Sequence, residues 1–261
     1  MTRNVGEATR LWALDGATFT LDSGLLVVGV EGTVTIPVPT FLIEHPRGLV
    51  LLDTGIVPAA ADDPRSIYGE LADEIQIAFT PEQRVDRQIE ALGFRTADVT
   101  HVLVSHSHFD HTGGLHLFPQ AQFYIGAGDL PYAFWPMPAA SVFFRTADVE
   151  ATRGFAWNEV NGDLDLFGDG SIIFLSMPGH TPGNRSVQVR LRNRTVLLTG
   201  DTVHLRSAME GDLPMASDYN TLQSVQSVRR LRQLQHSLDA ELWIAHDPQD
   251  WQQYGAPTCV D

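Results

Sequence analysis

"SHSHFDHTGG", Ser105 to Gly114, places three histidines and an aspartate within the short span from His106 to His111. The run that leads into it, "VTHVLVSH" (Val99–His106), is apolar and β-branched and reads as a buried strand. On extended chain alternate side chains point the same way, so His106 and His108 can face one point. The Thr112-Gly113-Gly114 turn lets the chain bend, and Asp110 and His111 can then face a second point close to the first. One loop thus offers ligands to two cations. A single histidine reads more readily as a hydrogen-bonded core or surface residue, but a set this dense reads as a metal site.

Two cations need more ligands than one loop supplies, and the remaining candidates follow other apolar runs. His180 in "MPGHTPGN" comes just after the strand-like "SIIFLSM" (Ser171–Met177), and Asp201 in "LLTGDT" follows "TVLLTG" (Thr195–Gly200). His246 ends "LWIAH" (Leu242–His246). Each sits where a strand gives way to a loop, the usual place for functional side chains.

These pieces, in this order, resemble the metallo-β-lactamase superfamily, and the resemblance runs from Asp53 to His246. It implies an α+β fold, a four-layer αββα sandwich in one domain over 1–261, with a dinuclear metal centre at one edge of the two sheets. Residue by residue, it implies that His106, His108 and His180 hold one metal, that Asp110, His111 and His246 hold the other, and that Asp201 bridges them. Two divalent cations with two carboxylates and one hydroxide leave a local charge of about +1, low enough to bury and still Lewis-acidic. Imidazole and carboxylate ligands suit zinc first, with iron, cobalt or manganese as alternatives.

Such a centre makes a hydroxide from bridging water and polarises a carbonyl, so hydrolysis of an ester, lactone, thioester or amide is the chemistry to expect. Asp110 is a candidate for a second duty, orienting the hydroxide and passing its proton to the leaving oxygen. Among subfamilies, many metallo-β-lactamases carry Cys or Ser where this chain has Asp201, and glyoxalase II-like thioesterases continue into a helical domain for which Asp247 to Asp261 leaves no room. "LLDTG" (Leu51–Gly55), "SHSHFDHTGG" and "GHTPGN" together look most like the N-acyl homoserine lactonases, which degrade quorum signals. Other small lactones, esters or thioesters, and a metal-binding protein without turnover, are the alternatives. The lactonases commonly have a tyrosine three residues after the bridging aspartate; here His204 stands there. Histidine can donate the same hydrogen bond to a lactone carbonyl, the other reading being a surface residue. Asp53, ending "LVLLD" (Leu49–Asp53), is expected to accept an imidazole N–H and fix its tautomer, with a plain turn residue as the alternative. His101 and His116 fit no ligand position and read as structural.

An acyl-chain pocket would need apolar loops beside the metals. "SIYGELADEIQIAF" (Ser66–Phe79), "PYAFWPMPAASVFF" (Pro131–Phe144) and "SAMEGDLPM" (Ser207–Met215) are candidates, with Phe134, Trp135, Met137 and Met209 as the expected lining.

The rest of the sequence bounds this reading. In 261 residues, 43% hydrophobic and 19% charged, there is material for a substantial core. A net charge of -15 disfavours nucleic acid, whose phosphates need a basic surface, so the expected partner is a small-molecule lactone and not nucleic acid or membrane, with a homodimer as one assembly. "MTRNVGEATRLWALDG" lacks an apolar leader, so the expected location is cytoplasmic. Cys259, alone near the C-terminus, precludes an intrachain disulfide. Further strands are expected at "LLVVGV" (Leu25–Val30), "FLIE" (Phe41–Glu44), "QFYI" (Gln122–Ile125) and "SVQVRL" (Ser186–Leu191), with a hairpin turn at Asn193. Thr80, Pro81 and Gln83 form a capping-box pattern ahead of a helix that Gly93 stops, and a second helix is expected from about Thr221 to Gln235.

Overall fold

The computed structural model describes residues 6–255 and 258–261; the reading of the N-terminus as leaderless falls partly on residues 1–5, outside the described residues. In chain order the strands are β1 (Arg10–Leu14), β2 (Thr18–Asp22), β3 (Thr33–Pro37), β4 (Thr40–His45), β5 (Gly48–Leu52), β6 (Val99–Val104) and β7 (Gln122–Gly126). Then follow β8 (Ala156–Val160), β9 (Leu164–Asp165), β10 (Ile172–Ser176), β11 (Arg185–Arg190), β12 (Thr195–Leu198), β13 (Glu241–Trp243) and β14 (Cys259–Val260). They build one sheet in the order β14-β1-β4-β5-β6-β7-β8, a second in the order β13-β12-β11-β10-β9, and a separate hairpin of β2 and β3.

The two-residue period of the strands sorts side chains into layers. Leu11 and Ala13, Phe41 and Ile43, and Val50 and Leu52 point into the space between the sheets, where they meet Ile172, Phe174, Val187, Val189, Val196 and Leu198. The alternate residues Trp12, Leu14, Leu42, Leu49 and Leu51 point the other way, onto Val85 and Ile89 of the Val85–Ala91 helix. On the outer face of the second sheet, Leu175, Leu197 and Leu242 pack with Val228 and Leu231 of the Thr221–Leu238 helix. Helix, sheet, sheet, helix is the αββα sandwich that the motifs imply. Each such Leu, Ile or Phe removed from water stabilises the fold by roughly 1.5–3 kcal/mol. Arg185, buried in β11, donates to the carbonyls of Val160 and Gly162 and so ties the second sheet to the end of β8 in the first.

Strand direction decides where the loops gather. β5, β6 and β7 are mutually parallel. β10 and β12 are each antiparallel to β11, and β13 is parallel to β12, so all three run the same way. The loops carrying His106 to His111, His180, Asp201 and His246 all leave the C-terminal ends of these strands.

Several local expectations change. "LLVVGV" is not a strand: Asp22 caps a short helix, Ser23–Leu26, by accepting from the Gly24 N–H at 2.7 Å, and the chain then loops back through Gly29 and Gly32, both at positive φ. An isolated apolar run does not distinguish the two. β1, β2 and β3 were not anticipated. Thr80 does donate its N–H to Gln83 Oε1 at 2.9 Å, but this box caps a 3₁₀ turn, Pro81–Gln83, and the α-helix begins at Val85. The long helix runs three residues past Gln235, with Leu222 exposed. Asn193 lies in the β11–β12 turn as expected, Leu191 N–H donating to Arg194 O at 2.9 Å. Cys259 is exposed, yet its segment is strand β14, paired with β1. Among the described residues no helix is long and apolar enough to cross a membrane.

The ligand loop is sewn to the chain after β5. Thr54 N–H and Oγ1 both donate to His111 O at 2.9 Å, and Gly113 N–H donates to Gly55 O at 2.8 Å. A Cβ on Gly113 would lie 2.1 Å from Val57 N and 2.3 Å from Ile56 C, both backbone atoms that cannot swing aside. Gly113→Ala is therefore expected to lower stability by about 1–3 kcal/mol, read as a lower denaturant midpoint at unchanged m-value.

Candidate metal centre

β6 ends at Val104, two residues earlier than its apolar pattern suggests, and the chain turns helical at Phe109–Thr112. The bend thus precedes Asp110 and His111 instead of following them at Thr112–Gly114. His106 and His108 lie in the short link between strand and helix, their ring centroids 4.4 Å apart. All seven expected ligands come together and all are buried: His106, His108, His180 and Asp201 form one group able to hold a cation, and Asp110, His111 and His246 another.

Asp201 faces both groups. Its Oδ2 lies 3.7 Å from His106 Nε2 and 3.5 Å from His180 Nε2, while its Oδ1 lies 3.3 Å from His111 Nε2 and 3.1 Å from His246 Nε2. The histidines are oriented from behind. His111 Nδ1–H donates to Asp53 Oδ2 at 2.8 Å, His246 Nδ1–H to the Pro37 carbonyl at 2.7 Å, and His180 Nδ1–H to Asp218 Oδ1 at 2.9 Å. A proton on each Nδ1 leaves the lone pair on Nε2, turned inward. His180 Nε2 meets His108 Nδ1 at 3.1 Å. Asp53 also accepts from Ser105 N–H at 2.7 Å and Ser105 Oγ at 2.8 Å, and it holds this pose at φ 60°, a left-handed backbone that aspartate tolerates better than most residues.

The donor set fits divalent cations. His106 Nε2, His108 Nε2, His111 Nε2 and Asp201 Oδ1 are buried without a hydrogen-bond partner, an arrangement that costs free energy unless something else coordinates the group. Burial and neighbouring imidazoles push His106 and His108 well below the usual histidine range. Burial also opposes charge on His111, but Asp110, Asp201 and Asp53 outweigh it and hold His111 well above that range. Burial would raise Asp201, yet His246, His111 and His106 pull it well below the ordinary carboxylate value. The pocket therefore favours positive charge between its carboxylates.

A partly enclosed cavity opens beside the centre, with His108, Asp110, His180, Asp201, His204 and His246 on its polar side. The apolar wall comes from Phe19 and Leu21 of β2, Leu25 and Leu26 of the short helix, Ile36 of β3, and Ile75, Phe109, Phe143 and Met215. The expected lining is corrected. Phe134, Trp135 and Met137 are exposed outside this cavity, and Met209 is packed in the core. The three loop segments contribute Ile75, Phe143 and Met215 to the cavity wall. The residues chosen within them were wrong because aromatic size says nothing about direction. His204 is buried, its Nε2 3.1 Å from Asp201 Oδ2 and its ring stacked on His246 at 10°. Burial holds it below the usual histidine range. His101 stacks on Tyr124, outside the centre.

Sequence reading missed Asp218, Asp129 and the Pro37 carbonyl. None sits in a local motif: Asp218 lies in the loop before the long helix, and a backbone carbonyl carries no residue signal.

The family model for the metallo-β-lactamase superfamily matches residues 34–238. The N-acyl homoserine lactonase AttM of Rhizobium radiobacter is 36% identical over 221 residues, covering 83% of this chain and 84% of that protein. The N-acyl homoserine lactonase of Bacillus cereus is 23% identical over 214 residues, covering 81% and 82%. Among solved structures, an N-acyl homoserine lactone hydrolase with N-hexanoyl-L-homoserine at its metal centre superposes with a TM-score of 0.85 at 21% identity, over 97% of this chain and all of that one. By the family-model match over residues 34–238 and the 36% identity to AttM, the chain belongs to the metallo-β-lactamase superfamily.

Proposed function

We propose that residues 1–261 form one metal-dependent hydrolase domain that opens the lactone ring of N-acyl homoserine lactones. The observation that carries this reading is Asp201, whose two oxygens divide between two groups of buried imidazoles beside an apolar cavity. Support also comes from the relatives of that name at 36% identity. We assign zinc, with iron, cobalt or manganese as alternatives, to the two groups, and Asp201 as their shared ligand. When bound, paired divalent cations acidify water toward neutral pKa and polarise a carbonyl.

The chain's own residues do the rest. Asp110, on the polar side of the cavity, takes the proton of the attacking water and passes it to the ring oxygen as it leaves. His204 lines the same cavity, and its Nε2–H donates to the lactone carbonyl oxygen as negative charge builds there. In the structure that N–H points at Asp201, so the reaction requires it to exchange one oxygen partner for another. Phe19, Leu21, Ile36, Phe143 and Met215 receive the acyl chain and exclude water from the ring.

Protein loaded with zinc or cobalt should hydrolyse homoserine lactones faster than γ- and δ-lactones, thioesters, β-lactams or phosphotriesters in a proton-release assay; no lactone turnover above buffer overturns the assignment. Elemental analysis of protein purified without chelator should give about two metals per chain, and less than half an equivalent removes the dinuclear reading. His204→Ala should lower kcat about tenfold or more, and an unchanged rate discards its role. Along a series of acyl lengths kcat/KM should climb by about fourfold per methylene until the cavity is filled, since each buried methylene contributes about 0.8 kcal/mol. Equal values for short and long chains would remove the acyl site.

A further inference from the structure

Asp129 begins the Asp129–Phe134 helix, is fully buried and is not part of the cavity lining. Among the described residues, its side-chain hydrogen bonds go to the two loops that carry the histidines of one metal group. Its Oδ1 accepts from the Ser107 N–H at 2.9 Å and from the Ser107 hydroxyl. Its Oδ2 accepts from Thr181 Oγ1 at 2.5 Å and from the Gly183 N–H at 2.9 Å. Ser107 is the residue between His106 and His108, and Thr181 follows His180 directly. The facing nitrogens His108 Nδ1 and His180 Nε2, 3.1 Å apart, thus come from the two loops that this one carboxylate joins. The contact is close: a Cβ on Gly183 would lie 2.8 Å from Asp129 Oδ2 and 2.5 Å from Gly126 O. The other group has its own acceptors, Asp53 behind His111 and the Pro37 carbonyl behind His246, with Asp53 also holding Ser105, the residue before His106.

The geometry points to Asp129 as a positioning residue that sets the spacing of the His106/His108/His180 group and so tunes metal affinity at that group alone. The inference rests on the two-metal reading above. Four donors converge on two oxygens, which suits a carboxylate and not an amide. Asp129→Asn would turn an NH₂ toward one pair of donors and release one loop from the other.

The test is zinc binding to apoprotein by competition with a chromophoric chelator, with anomalous diffraction at limiting zinc to locate the affected group. Wild type should bind two zinc ions. Asp129→Asn should weaken one of them by about 10–100-fold, the range seen when a partner behind a ligand is lost, and the diffraction should show the loss at His106/His108/His180. Thr181→Val and Ser107→Ala, which each delete one donor and spare the carboxylate, should produce smaller losses at the same group. They keep the test open if Asp129→Asn fails to fold. Unchanged affinities in the variants that fold, or equal weakening of both ions, overturn the clamp. A wild type that binds no zinc overturns the two-metal reading itself.

Discussion

One carboxylate, Asp201, lies within 3.7 Å of four imidazole nitrogens drawn from both groups. Buried nitrogens and oxygens left without hydrogen-bond partners cost about 1–3 kcal/mol each, and four such atoms surround this point. No packing advantage explains that arrangement, because apolar residues would fill the volume at less cost. The rest of the sandwich offsets it, through the core between the sheets and the two outer layers that cover them.

The seven candidate ligands are held in place by two independent means. Strand ends set the backbone positions, since parallel strands in each sheet deliver their loops to one edge. Acceptors outside the centre then fix ring orientation: a carboxylate for His111, another for His180, a carbonyl for His246. The resulting tautomers all present Nε2 inward, so the ring orientations needed for coordination are built into the protein's own hydrogen bonding.

Legibility in the sequence followed how local each signal was. The convergence of the seven candidate ligands was readable because four of them lie within His106 to His111 and His180, Asp201 and His246 each follow an apolar run. Asp53 was readable for the same reason, at the end of "LVLLD". The sandwich came from the order of these pieces and not from counting strands, since β1, β2 and β3 went unseen. The pocket was the least legible part. Its apolar wall draws one or two residues from each of seven segments, and the residues with the strongest apolar signal, Trp135 above all, face solvent. Reading "LLVVGV" as a strand hid Leu25 and Leu26, which project from a helical turn into the cavity.

The β2–β3 hairpin serves two masters. Ile36 forms part of the apolar wall, and the carbonyl of its neighbour Pro37 orients His246. Leu25, half-exposed on the turn that joins the two strands, lines the same cavity without any such tie. Changes in substrate range are thereby channelled: Leu25 at the hairpin tip can be exchanged without touching the acceptor behind His246, whereas remodelling the base of β3 disturbs the carbonyl that orients that imidazole.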